Sequence, residues 1–160
     1  MSAMVSKRRR GREMAVQMLY QSDLGGSSLA QVLGNFDAMD YSQGAGKRKK
    51  GSESGGKQIA EAFDYARKLV EGTVENREAI DRLIRSQTEN WRLERMPAVD
   101  RNILRLAVYE LLFENDVPHL VVLDEAIELA KKFGSEQSGR FVNGLLDGLI
   151  KSRQLPGRMA

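Results

Sequence analysis

The stretch AVDRNILRLAVYELLFE, residues 98–114, decides the fold class. Val99, Ile103, Leu104, Leu106, Ala107, Val108, Leu111 and Leu112 recur at helical spacing, yet together they cover most of the helix circumference and not a single stripe. A helix that is apolar on most sides must be surrounded by other helices. Pro97 stands just before the stretch and Pro118 just after it, so no proline breaks the pattern from within. The reading is a central helix over about Ala98 to Glu114 in an all-α protein.

The flanking segments supply its neighbours. Downstream, residues 115–118 read as a turn, 120–133 as a helix ending at Gly134, and 136–151 as a last helix with Phe141, Leu145, Leu146, Leu149 and Ile150 inward. Upstream, Asn76 is the candidate cap of a helix burying Ile80, Leu83 and Ile84, and Trp91 and Leu93 fall in the connection that follows. Residues 58–74 place Ile59, Phe63, Ala66, Val70 and Val74 on one face. The first helix is expected over 7–24, with Ala15, Met18 and Leu19 buried and Gly25–Gly26 as its stop. A short helix over 28–38 presents Leu29, Val32, Leu33 and Phe36, with Ser27 as its cap. Residues 40–57 hold five glycines and one aromatic, too little apolar surface to offset ordering, and read as a flexible loop. No strand-like alternation occurs. The expected organisation is one domain over residues 1–160, with a basic arm at 1–12, an N-terminal sub-bundle at 7–75, a C-terminal sub-bundle at 76–152 and a tail at 153–160.

Bulk composition narrows the function classes. At 160 residues, 41% hydrophobic and 29% charged, the chain has enough apolar material for a sizeable core. The absence of cysteine excludes disulfides, thiolate metal sites and cysteine nucleophiles. No run of about 18 apolar residues suggests a membrane span, and no apolar segment follows the basic start as in a secretory signal. A cytoplasmic protein is expected.

The net charge of +3 hides an asymmetry. Lys7, Arg8, Arg9, Arg10 and Arg12 all precede the first acid, Glu13. Lys47–Lys50 form a second basic run, and Lys151, Arg153 and Arg158 a third. With these removed the remainder is net acidic, which points to focused contact with a polyanion and not to a uniformly sticky surface. Solvated tails and loops are the plainer reading of the same runs.

Catalytic motifs fail on inspection. Residues 51–57, GSESGGK, match the spacing of a phosphate-binding P-loop, but Gln58 replaces the Ser or Thr needed for Mg²⁺ and no strand precedes it. His119 is the sole histidine and lacks a nucleophile elbow to serve. Asp124, Glu125 and Glu128 share helical spacing, but Lys131 and Lys132 follow as ordinary ion-pair partners. No catalytic residue, metal ligand or cofactor is expected.

The arginine cluster is the strongest positive feature. Arg8, Arg9 and Arg12 fall at three- and four-residue spacings, and Arg12, Val16 and Tyr20 continue the row in steps of four. Planar guanidinium groups suit phosphates and stack on bases. Cations at a helix start oppose the macrodipole, a local cost that suggests a purpose beyond stability.

Three stretches together resemble the NusB family of bacterial transcription antitermination factors. They are RRRGREMAVQMLY (8–20); VDRNILRLAVYEL (99–111), followed by DVP (116–118); and DEAIELAKKFG (124–134), running into RFVNG (140–144). The resemblance implies two packed helical sub-bundles and binding to boxA, a short single-stranded RNA element of nascent transcripts. It implies a partner, the small-subunit ribosomal protein NusE, and an antitermination complex with RNA polymerase and other Nus factors, chiefly on ribosomal RNA operons. By position, Lys7, Arg8, Arg9, Arg10 and Arg12 match the RNA-binding arm. Gln137, Arg140 and Phe141 match a second RNA-proximal region, with Gln137 where some members carry an acid. Tyr20, Glu94 and Asp100 match positions that face NusE. NusB-like domains also occur fused to RNA methyltransferases, but residues 1–160 contain no dinucleotide-type βαβ pattern. A protein-only helical scaffold whose arginines merely solvate its terminus is the competing reading, and salt-dependent RNA binding separates the two.

Overall fold

A computed structural model of the chain describes residues 3–36, 53–88, 92–152 and 155. Among these residues there are seven α-helices and no strand. They divide into two compact units, residues 1–71 and 72–160.

In the first unit, α1 spans Ala3–Gly25, α2 spans Leu29–Asn35, and α3 begins at Glu53. Helix α1 buries Met14, Ala15, Val16, Met18 and Leu19. It ends where Gly26 adopts a φ of 66°, a left-handed conformation that glycine takes at little cost. The helix starts ahead of Lys7, so the basic residues lie on regular helix and not on a frayed arm. Helix α2 is capped by Ser28 and not by Ser27. Ser28 Oγ accepts the Gln31 amide at 3.2 Å, and Gln31 Oε1 accepts the Ser28 amide at 3.0 Å. A capping box needs a reciprocating side chain three residues on, and Ala30 cannot supply one to Ser27.

Helix α3 runs to Glu75, so the unit boundary falls within it. It starts five residues before the expected Gln58, which converts 53–57 from loop to helix; the remainder of the expected loop lies outside the described residues. Its buried side is Ile59, Ala62, Ala66, Leu69 and Val70, while Phe63 is half-buried. The expected stripe is thus rotated toward Ala62. The reason lies on α1: a Cβ on Gly11 would stand 3.1 Å from the Ala62 carbonyl and 2.5 Å from Tyr65 Cδ1. Two backbones approach that closely only over a glycine and a small residue.

The second unit is built on the expected central helix. Helix α5, Ala98–Phe113, is buried continuously from Asp100 to Leu111. It packs against α4 (Arg77–Ser86), α6 (His119–Phe133) and α7 (Ser138–Lys151), and a short 3-10 helix, Leu93–Arg95, leads into it. Its polar residues are used internally. Arg105 forks onto the Asp81 carboxylate at 2.8 and 3.0 Å, a buried bidentate pair. Arg101 donates to the carbonyls of Leu93 and Met96 at 3.1 and 3.3 Å, which closes the α4–α5 connection. At the end of α3, a Cβ on Gly72 would stand 2.4 Å from the Tyr109 ring, so this approach also requires glycine.

Candidate nucleic-acid and protein interfaces

In the first unit the basic residues of α1 are sorted by helical phase. Arg9 and Arg10 are exposed. Arg8 is half-buried, with its guanidinium 5.9 Å from the centroid of the Tyr65 ring, within cation–π range. Lys7 lies 3.9 Å from Glu61. Arg12 is 3% exposed, at the head of the buried side that continues through Val16. This corrects the expectation that Arg12 belongs to an outward arginine face. Residues 11 and 12 enter the packed interior, whereas Lys7 and Arg8 are half-buried and Arg9 and Arg10 are exposed. At the other end of α1, Tyr20 is 38% and Leu24 57% exposed, a two-residue apolar row at i, i+4 spacing.

In the second unit the α6–α7 turn forms the other candidate surface. Gln137 and Arg140 are exposed and Phe141 is half-buried. Arg140 lines a groove of about 480 Å³ together with Ile127, Lys131, Ser135, Glu136 and Asn143. Lys131 and Arg140 give the groove two cations on its walls, against the single carboxylate of Glu136. Glu94 is exposed and meets Arg85 at 2.9 Å. A hydrogen bond from its own backbone amide, and then Arg85, hold its carboxyl below the ordinary value of 4.5.

Asp100 departs from expectation. It is 5% exposed and accepts a 2.7 Å hydrogen bond from Ser138 Oγ. A side chain turned into the unit is not an exposed contact for a partner; Glu94 is the outward acid of that pair. Tyr65 and Ser138 support these surfaces too, and no motif in the sequence marks them. Tyr65 stands four residues after Glu61 on α3, a spacing that places both near one side of the helix, but only the fold brings α1 over them.

The features read as non-functional sit in ordinary surroundings. Residues 53–57 of the P-loop match are helical, whereas a phosphate loop must wrap its ligand with free backbone amides. Glu128 pairs with Lys131 at 3.5 Å, as a solvated helical face does. Among the described residues no group of three His, Asp or Glu side chains is placed to hold a metal ion, and no helix is long and apolar enough to cross a membrane.

With this geometry in hand, comparison with known proteins decides the family. The model of the NusB family matches residues 9–151. The chain belongs to the NusB family. A transcription antitermination protein NusB from Geotalea daltonii is 45% identical over 152 residues, covering 92% of this chain and 97% of that protein. Among solved structures, NusB of T. maritima is 41% identical, with a TM-score of 0.70 and 90% of each chain covered. A chain from a complex of antitermination factors NusB and NusE with double-stranded RNA is 30% identical, with a TM-score of 0.71, covering 92% of this chain and 98% of that one. The match contains both surfaces described above, the basic start of α1 from Arg9 onward and the α6–α7 turn.

Proposed function

We propose that this NusB-family chain is an RNA-binding transcription antitermination factor without catalytic activity. It binds the boxA element of nascent ribosomal RNA transcripts as a single strand, together with NusE. The pair nucleates an antitermination complex with RNA polymerase and other Nus factors. The observation that carries this reading is the outward display of Arg9 and Arg10 on regular helix, with Arg8 held over Tyr65. Guanidinium groups fixed on a rigid element meet a phosphate chain with less ordering entropy than a loose tail would. The α6–α7 turn, through Gln137, Arg140 and Phe141, supplies a second RNA contact. Tyr20, with Leu24 beside it, and Glu94 supply contacts to the basic ribosomal protein, Tyr20 as an apolar anchor with a polar tip. The N-terminal and C-terminal sub-bundles act as one RNA-binding domain. Lys47–Lys50, outside the described residues, add non-specific attraction.

A titration of the full chain with boxA RNA, with and without NusE and at several salt concentrations, tests the reading. Affinity should fall steeply with salt, and NusE should tighten RNA binding to the same degree that RNA tightens NusE binding. Tyr20→Asp should weaken NusE binding, and RNA binding only when NusE is present. RNA affinity that ignores salt, or that NusE leaves unchanged, overturns it.

A further inference from the structure

The α6–α7 turn is held from beneath by a chain of hydrogen bonds. Ser138, 2% exposed, donates its hydroxyl proton to Asp100 Oδ1 at 2.7 Å. The same Oγ accepts the Ser135 backbone amide at 3.0 Å and lies 3.2 Å from Ser135 Oγ. A hydroxyl has one proton, and an ionised carboxylate only accepts. Ser138 therefore spends its proton on Asp100, and both contacts from Ser135 run toward Ser138. The backbone closes the same loop, with the Ser138 amide donating to the Ser135 carbonyl at 3.1 Å. Gly134 leaves the space for it: a Cβ there would stand 2.4 Å from Ser138 Oγ and 2.8 Å from the Ala130 carbonyl.

This network has a consequence for the outer surface. Ser138 heads the buried side of α7 that continues through Val142, Leu145 and Leu149. At about 100° per residue, a fixed inward Ser138 sends Arg140 to roughly the opposite side and Gln137 to the flank, and both are exposed. The side chain of Gln137, the residue at the cap position, makes no capping hydrogen bond, while the Ser138 amide at the start of α7 is satisfied by the Ser135 carbonyl.

We propose that Asp100, acting through Ser138, is a positioning residue for RNA: it sets the height and rotation of the 134–140 turn, so that Gln137 and Arg140 meet the strand without prior ordering. The proposal rests on the RNA-binding reading above. It gives Asp100 a task inside its own unit, in place of a direct contact with a partner protein.

The test uses the full chain, fluorescently labelled boxA RNA without NusE, and the variants Ser138→Ala, Asp100→Ala, Asp100→Asn and Arg140→Ala. Removing one buried hydrogen bond under the turn should weaken RNA binding about tenfold in Ser138→Ala and in Asp100→Ala. The double variant should be no weaker than either single one, because both remove the same link. Each should flatten the log–log salt slope by about 0.7, as Arg140→Ala does, through loss of one phosphate contact. Asp100→Asn keeps an acceptor oxygen and should bind RNA nearly as the parent does. Hydrogen exchange at the Ser135 amide should accelerate in Ser138→Ala and Asp100→Ala, not in Asp100→Asn, with the amides of α5 still protected. That pattern shows a loosened turn on a folded unit. If Ser135 exchange accelerates while RNA affinity and salt slope stay at parental values, the positioning role is wrong although the RNA reading stands. It is equally wrong if Asp100→Asn is as damaging as Asp100→Ala, since charge and not the hydrogen bond would then matter. A parent that binds no RNA overturns the RNA reading and this proposal together, whereas an Arg140→Ala variant indistinguishable from a parent that binds RNA overturns the turn's contact and this proposal alone.

Discussion

The arginines of α1 and those of α5 are the same residue type put to opposite uses. Arg9 and Arg10 stand exposed at the start of the first helix, and Arg8 lies over an aromatic ring. Arg101 and Arg105 sit on the most buried helix of the second unit, one satisfying loop carbonyls and the other gripping Asp81. A guanidinium at the surface retains its affinity for phosphate. One that is desolvated and saturated with internal acceptors has become part of the frame. Arg12 shows that the boundary between these uses falls within a single helical turn, since it is buried only two residues after the exposed Arg10. A run of arginines is therefore evidence about partners only after helical phase has divided it.

The largest expected effect tests the inward side. Asp81→Ala leaves the Arg105 guanidinium buried without its carboxylate and should cost about 3–5 kcal/mol of stability, read from urea unfolding. A loss no larger than that of a surface substitution would mean that Arg105 finds water, and the contrast would collapse. Next comes the junction that displays the outward arginines. Gly11→Ala pushes a methyl group into Tyr65 and toward the Ala62 carbonyl, so about 1–3 kcal/mol of stability should be lost. RNA affinity should fall with it, because Arg8 is set over that same ring; unchanged affinity would separate the display from the packing.

The third test is the converse of the first. Replacing Arg9 and Arg10 together by alanine should move stability by no more than about 0.5 kcal/mol. The same variant should flatten the salt slope of RNA binding by about 1.4, or 0.7 per phosphate contact. A parental slope would make these residues a solvated helix start. The smallest effect belongs to Glu94, whose pair with Arg85 lies in the open. Its carboxyl is depressed below 4.5 in the folded chain, so its contribution is fully present above that value and is lost as pH falls through the lower folded value. Glu94→Gln should slightly flatten the acid limb of stability against pH and leave neutral stability nearly unchanged; a large change at neutral pH would mark Glu94 as part of the frame.

Much of the fold was legible because helix periodicity and breakers are local properties. Residues 98–114 announced a surrounded helix, Gly25–Gly26 marked an end, and Pro118 and Asn76 marked starts, although the Asn76 side chain donates to the Gly72 carbonyl at 2.8 Å and makes no cap. Legibility failed where a second element decided the matter. The buried side of α3 turns toward Ala62 because α1 presents Gly11 there. Residues 53–57 join a helix although their glycines read as loop. Ser28 displaces Ser27 as a cap because Gln31 stands three residues later, a signal that the sequence itself carries.

For the candidate surfaces the sequence determined which residue types were at hand: a cluster of arginines on a helix, a break at Gly134 between two helices and a tyrosine at position 20. Those are facts of order and spacing along one chain. Tertiary structure alone decided which of them face outward. It buried Arg12, set Arg8 over Tyr65, and turned Asp100 from an expected partner contact into an acceptor for Ser138. The physical reason is that desolvation and hydrogen-bond saturation depend on atoms contributed by other helices, and residues 38 positions apart, such as Asp100 and Ser138, carry no mark in the sequence of meeting.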